Sequence, residues 1–290
     1  MHELVKRLLA AGPVITDGAW GTQLQARGLP HGVCPDAWNL SHAECVEQVA
    51  HAYVEAGSRI VLTNTFRSNR LALAGYALAA QTEAINRAGA EISRRAANGR
   101  AHVFASIGPS GKMLLLGEVS EDELSAAFAE QAQALAAGGA DGLVIETMAD
   151  VAEARLAVAA ARTTGLPVVA CMTFDSGQDQ DRTLMGVTPE QAAEELTAAG
   201  ADVIGANCGQ GIAGYVAICR RLRAATDRPL WIKANAGVPE VVGGQTVWRT
   251  APGEFACHGP ALVEAGASFL GGCCGTGPAF IAALAKSLAK

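Results

Sequence analysis

Short apolar runs alternate with alanine-rich stretches along the chain, and the boundary between them repeats. Four times a helix-like stretch ends in a small-residue joint: Ala56-Gly-Ser-Arg59, Gly138-Gly-Ala-Asp141, Ala199-Gly-Ala-Asp202 and Ala265-Gly-Ala-Ser268. Glycine there supplies the left-handed residue that ends a helix, and a hydrophobic strand follows each joint. Other apolar runs lie between the joints, at Pro13 to Thr16, His102 to Ile107, Pro167 to Thr173 and Pro229 to Ala234. Both sets together predict eight strands with helices between them. Strands that are apolar almost throughout belong to a parallel sheet buried on both faces. The even count favours closure, so the expected fold is α/β, a single (β/α)8 TIM barrel domain over residues 1–290. Helix starts are expected at the capping-box pairs Ser41–Glu44, Ser120–Glu123, Asp150–Glu153 and Thr188–Gln191. Pro189 and Pro278 suit first-turn positions.

Composition narrows the field. The formal charge is −6, with 22 basic and 28 acidic residues, and no basic stripe marks a nucleic-acid footprint or a membrane surface. Ala265 to Ala285 carries no charge and is long enough to raise a transmembrane question. Its glycines and Pro278 divide it into strand, loop and helix, so no span is expected. Residues 1–12 carry Glu3, Lys6 and Arg7 and do not resemble a secretory leader. Eight cysteines are too sparse for a disulfide scaffold and suit a reducing, cytoplasmic setting.

In a parallel barrel the active site lies at the C-terminal ends of the strands. Here those ends hold Asp17, Asn64, Ser106, Glu146, Thr173, Cys208, Asn235 and the Cys273-Cys274 pair. Three thiolates with a fourth position open is the stoichiometry of a catalytic zinc site, so Cys208, Cys273 and Cys274 are the candidate catalytic and metal-binding residues. Cys45, Cys171 and Cys219 read as small buried hydrophobes; Cys34 and Cys257 are undecided, His258 beside the latter making only a weak pair. Asp17, Glu146 and Asn64 at one barrel mouth suit a substrate ammonium group. The loop Gly18, Ala19, Trp20, Gly21, Thr22 offers backbone N–H groups to a carboxylate, so an amino acid is the expected substrate. Gly209-Gln-Gly-Ile-Ala-Gly214 spells a dinucleotide fingerprint, but no acid ends the next strand as that motif requires. Its glycines are expected instead to let the loop pass close to Cys208. The acidic loop Asp175 to Arg182 reads as a solvated loop on the site face, with a lid role open. Lys233 offers a competing chemistry, a Schiff-base aldolase, and Cys273–Cys274 a non-catalytic thiol redox sensor.

The motifs Asp17-Gly-Ala-Trp-Gly-Thr22, Thr63-Asn-Thr-Phe66, Ser106-Ile-Gly-Pro109, Glu146-Thr147, Gly205-Ala-Asn-Cys208, Lys233-Ala-Asn-Ala-Gly237 and Gly271-Gly-Cys-Cys-Gly-Thr276 resemble those of the homocysteine S-methyltransferase family. The resemblance runs from Asp17 to Pro278. It implies a barrel holding one Zn2+ on Cys208, Cys273 and Cys274, with Asp17 and Glu146 anchoring the homocysteine ammonium. Asn235 falls where the family can supply a weak oxygen ligand that substrate displaces. Two departures, Trp20 for a common methionine and Ala234 for a common proline, lie near the donor side. The implied reaction makes methionine from homocysteine with a small-molecule donor, S-methylmethionine or S-adenosylmethionine. The alternative is a subunit served by a separate methyl-corrinoid protein.

Overall fold

The computed structural model describes residues 1–243 and 245–289. Eight parallel strands form one sheet: β1 (Val14–Ile15), β2 (Ile60–Val61), β3 (His102–Ile107), β4 (Gly142–Met148), β5 (Val168–Met172), β6 (Val203–Gly211), β7 (Leu230–Asn235) and, last in the chain, β10 (Ala267–Gly272). The order is β1-β10-β7-β6-β5-β4-β3-β2, each strand being followed by helix on the outside, the arrangement of a (β/α)8 barrel. The seam between β1 and β2 lacks a regular ladder. A backbone bond from Arg59 N–H to the Ile15 carbonyl, 2.8 Å, joins them there. Two side chains extend the joint: Ser58 Oγ donates to the Thr16 carbonyl at 3.2 Å, and Leu62 N–H donates to Asp17 Oδ2 at 2.8 Å.

Strand periodicity of two sorts residues between the barrel interior and the helix layer. Val14, Ile60, Phe104, Val144, Val169, Val203, Trp231 and Phe269 pack together inside, closed below by Leu4, Val5 and Leu8 of the N-terminal helix Glu3–Leu9. Ile15, Ala105, Ile145, Ala170, Ile204, Ile232 and Leu270 face the helices. The Trp231 ring lies against Phe104 and Phe269, with centroids 6.1 and 5.3 Å away. Gly205 leaves the space this needs, since a Cβ there would run into the Trp231 carbonyl and the Cys171 sulfur. The same parity, carried two residues up each strand, turns Ser106, Glu146, Cys171 and Lys233 inward.

The recurring joints have a structural cause. Asp141 and Val103 bond reciprocally, N–H to carbonyl at 2.7 Å and N–H to carboxylate at 2.9 Å. Asp202 repeats this with Val168, at 2.8 and 3.2 Å. Each aspartate thus clamps the start of its strand to its neighbour at the end of the barrel away from the cysteines. Partial burial opposes ionisation of Asp141, but His102, the Val103 N–H and Arg94 together hold its carboxyl at about 2.

Capping follows expectation at Ser120 and Thr188, where both halves of each box form, and Pro189 and Pro278 open their helices. Asp150 caps Ala152 N–H at 2.8 Å, but Glu153 does not reach back; it accepts from Ser110 N–H at 2.7 Å and ties down the loop after β3. Ser41 is not a cap. It ends a short turn, Trp38–Ser41, and its hydroxyl bonds to the Ala37 carbonyl, while His42 precedes the helix Ala43–Glu55. An antiparallel hairpin, β8 (Glu240–Val242) with β9 (Gln245–Val247), follows β7 and was not anticipated, although the Gly243-Gly244 pair carries the signal for one. The uncharged 265–285 window resolves into β10, a loop and the helix Pro278–Leu288, and no helix among the described residues is long and apolar enough to cross a membrane.

Asp141 ionises more readily in the folded chain than its ordinary value near 3.8, so its contribution is present above that value and is lost as pH falls through about 2. Asp141→Asn is expected to cost about 1–2 kcal/mol at pH 7 and to flatten the acid limb of stability between roughly pH 4 and 2. Urea titrations of both proteins across that range check this; equal acid limbs refute it.

Candidate metal centre

Cys208 ends the apolar part of β6, and Cys273 and Cys274 directly follow β10. The Cys208 and Cys274 sulfurs are 3.9 Å apart, and all three sulfurs lie within 4.8 Å of one another. A tetrahedron with metal–sulfur bonds of about 2.3 Å has sulfur–sulfur edges of about 3.8 Å, so the cluster fits a soft tetrahedral cation with little movement. Three thiolates select zinc over harder divalent ions. Among the described residues this is the one cluster of histidine, cysteine or acidic side chains with such geometry. Asn235, at the end of β7, lies against Cys208, and its Oδ1 is buried without a hydrogen-bond partner. Asn235 thus brings an amide with an unsatisfied neutral oxygen against one of the three cysteines.

Backbone strain aims the ligands. Cys208 has φ +64° and Thr147 φ +61°, a region that costs a non-glycine residue about 1–2 kcal/mol. Both sit where their strands break register, β4 between Ile145 and Met148 and β6 between Cys208 and Gly211. Such bulges re-aim side chains next to sites. Tyr215 Oη holds the Cys208 carbonyl at 2.7 Å, and Thr276 Oγ1 holds that of Cys273 at 2.7 Å. Gly275, φ +80°, lets the Trp248 ring pack against the backbone beside Cys274. The thiols interact strongly: hydrogen bonds from Cys273 and Cys274 hold Cys208 far below an ordinary thiol, while the same bonds and burial raise Cys273. Cys274 is pushed up, chiefly by its bond to Cys208.

A cavity of about 350 Å³ opens onto the sulfurs and is lined by Gly18, Ala19, Trp20, Thr22, Asn64, Glu146 and Thr147 among others. Glu146 is 8% exposed; burial raises its pKa, against the pull of Lys233 and of Ser106, whose Oγ donates to Oε1 at 2.5 Å. Thr22 Oγ1 is buried and unpartnered. Asn64 Nδ2 donates to the Pro35 carbonyl at 2.8 Å and to Asn39 Oδ1 at 3.0 Å. Asp17 lies behind the wall, 0% exposed. Its Oδ1 accepts from Lys233 Nζ at 2.5 Å, and Oδ2 accepts from Trp20 Nε1 and Leu62 N–H, both at 2.8 Å. Asp17 and Glu146 keep Lys233 protonated although burial works the other way.

The other cysteines stand apart from the cluster. Cys171 and Cys219 are buried, Cys45 is half-buried against the core, Cys34 is buried beside Asp36, and Cys257 is exposed. Residues 209–211 continue β6 and lead into the helix Ile212–Ala225, and a Cβ at Gly209 would press on the Phe174 carbonyl at 3.1 Å. In the acidic loop Asp181 pairs with Arg221, and Gln210 Nε2 donates to the Gln180 carbonyl at 3.1 Å. Sequence reasoning missed Asn207 as a site residue, although the Gly205-Ala-Asn-Cys208 motif contains it. It is wholly buried, and its amide touches Thr147, Glu146 and the Cys273 sulfur.

Fold and site together define a parallel-barrel enzyme with a three-thiolate metal centre beside an acid-lined cavity. The model of the homocysteine S-methyltransferase family matches residues 14–288, and the chain belongs to that family of sulfur methyltransferases. Methionine synthase of Mycobacterium tuberculosis is 31% identical over 304 residues, and that of Mycobacterium leprae 30% over 303. These alignments take in 98% and 97% of this chain but only 25% of each relative. The chain thus spans about a quarter of the length of those enzymes. The metallated form of the Escherichia coli homocysteine methyltransferase MmuM has the same fold, with TM-score 0.78, 24% identity and coverage of 94% of this chain and 95% of that one. Its oxidized form gives TM-score 0.80 at 24% identity, covering 97% and 99%.

Metal analysis of the purified protein is expected to give about one zinc per chain, lost in Cys208→Ser and in Cys273→Ser. Zinc binds cysteine as the thiolate, so uptake should release protons from the cluster. Calorimetry in buffers of different ionisation enthalpy counts them, and release of none would contradict the site.

Proposed function

We propose that the protein transfers a methyl group to the thiol of homocysteine, giving methionine, and that a sulfonium compound, S-methylmethionine or S-adenosylmethionine, supplies it. The observation that carries the reading is the three-sulfur cluster opening into the same cavity as Glu146. Zinc on Cys208, Cys273 and Cys274 would deprotonate a coordinating substrate thiol at neutral pH, where a free one is mostly protonated. Asn235, whose side chain touches Cys208, would be the neutral residue available to the fourth position until a substrate sulfur takes it. Glu146 receives the substrate ammonium, held ready by Ser106, with Asp17 as a second acid behind it. Thr22 Oγ1 and the backbone of Gly18 to Thr22 receive the carboxylate. In the transfer the donor's S–CH3 bond breaks as the new S–CH3 bond forms; the donor leaves as a neutral thioether, and the acceptor's thiol proton goes to solvent.

The sulfonium reading is supported by charge. Asp36 and Glu146 line the cavity with Arg67 opposing them, and Lys233 is neutralised by Asp17. Such a cavity attracts a cationic donor. A second reading, a subunit methylated by a separate corrinoid protein, would draw on the apolar segments of the site face. Leu115, Leu116, Leu184, Val238, Val241 and Val242 are all exposed in the segments that follow β3, β5 and β7, Val241 and Val242 within the hairpin strand β8. The Schiff-base alternative fares poorly, since Lys233 is a buried, paired ammonium.

Zinc-loaded protein and homocysteine, incubated separately with S-methylmethionine, S-adenosylmethionine, betaine and methylcobalamin, should form methionine with a sulfonium donor alone. Turnover only with a methylated corrinoid would select the second reading. Cysteine is shorter by one carbon–carbon bond, about 1.5 Å, and should be slower by about 100-fold. Glu146 binds the ammonium only when ionised, and burial raises its pKa, so KM for homocysteine should climb as pH falls. Glu146→Gln should remove that dependence and raise KM at neutral pH by about 10- to 100-fold, the loss of a charged hydrogen bond. A pH-independent wild-type KM would remove Glu146 from this role.

A further inference from the structure

We propose that Asn207 is a positioning residue for the acceptor site: its side-chain amide holds the left-handed turn at Thr147 that points Glu146 into the cavity, and it ties that turn to the metal centre. The inference rests on the reading of Glu146 as the ammonium acceptor. Asn207 Oδ1 accepts Thr147 N–H at 2.7 Å, and Nδ2 donates to Thr147 Oγ1 at 2.7 Å. The same Nδ2 reaches Glu146 Oε2 at 3.5 Å and the Cys273 sulfur at 3.8 Å. The amide cannot be turned over, because that would set NH2 against the Thr147 N–H.

Why an amide is needed follows from the backbone. Thr147 is β-branched and lies at φ +61°, where such a residue is an outlier unless its surroundings hold it. The turn breaks the β4 register just after Ile145, leaving the Thr147 N–H to a side chain. Asn207 is one residue before Cys208 on β6, separated from β4 by β5, and wholly buried. It satisfies that N–H and the threonine hydroxyl together. Its own carbonyl is fixed by Thr173 Oγ1 at 3.0 Å. One side chain therefore sets the spacing between the acid that meets the ammonium and the sulfurs that meet the thiol. The acceptor's length is read by that spacing.

The test compares homocysteine with its des-amino counterpart, 4-sulfanylbutanoate, at a saturating concentration of whichever donor supports turnover. In Asn207→Ala the preference for homocysteine should fall by about 10- to 100-fold, the usual effect of removing a group that orients a metal-site partner. The fall should come through KM rather than kcat, with zinc content retained. Calorimetric affinity for homocysteine should drop in parallel. Asn207→Asp keeps the acceptor for Thr147 N–H, removes the donors and places a charge beside Glu146, so it should fold and lose the preference as well. Thr147→Gly added to Asn207→Ala should restore much of it, because glycine adopts a positive φ unaided. Equal losses for both acceptors, loss of zinc, or no rescue by Thr147→Gly would each show a merely structural role. A wild-type protein that makes no distinction between the two acceptors would instead overturn the homocysteine reading itself, and this inference with it.

Discussion

The buried pair between Asp17 and Lys233 holds the site end of the barrel together. Taking two charges out of water costs several kcal/mol per ion, and removing one partner of such a pair costs about 3–5 kcal/mol. The cost is offset because the carboxylate has three donors from three places: Lys233 on β7, Trp20 in the first loop and Leu62 beyond β2. Those contacts span the seam where β1 and β2 lack a regular ladder. Asp17 does the work of missing backbone bonds while also fixing Trp20 in the cavity wall. Its closure of the barrel and its shaping of the pocket are one interaction.

The pairing also distributes charge across the cavity. Lys233 cancels Asp17, so the negative charge that meets a ligand belongs to Glu146, Asp36 and the sulfurs. Glu146 has Ser106 for company and no direct cation, which leaves it free to take one from a substrate. Two acids that look alike in the sequence are thereby given different surroundings, one saturated and one available.

Much of this was legible before any coordinates. The strands were marked by glycine joints and apolar runs, and the three ligands stood at predicted strand ends. Strand parity explains why Lys233, two residues above Trp231, turns into the barrel. The failures have local causes. Ser41 has the right spacing for a cap, but a short turn at Trp38–Ser41 claims it first. Glu153 has a better donor in Ser110, in the loop after the neighbouring strand β3, which no local pattern reveals. Asn207 carries no sequence signal for this role, because the turn it holds is at Thr147, which is not a glycine that would announce a left-handed residue. The burial of Asp17 behind the wall depends on Leu62 and Lys233, distant in sequence.

The paired aspartate clamps at Asp141 and Asp202 lie at the end of the barrel opposite the cysteines, and the division has an evolutionary meaning. Strand registration is secured at that end by residues with no part in the chemistry. The loops above β3, β5 and β7 can therefore lengthen, shorten or change character without disturbing how the strands find one another. A lineage could rewrite those loops while the sulfurs stay where they are. The frame that makes such drift tolerable is carried by two acidic side chains at the far end.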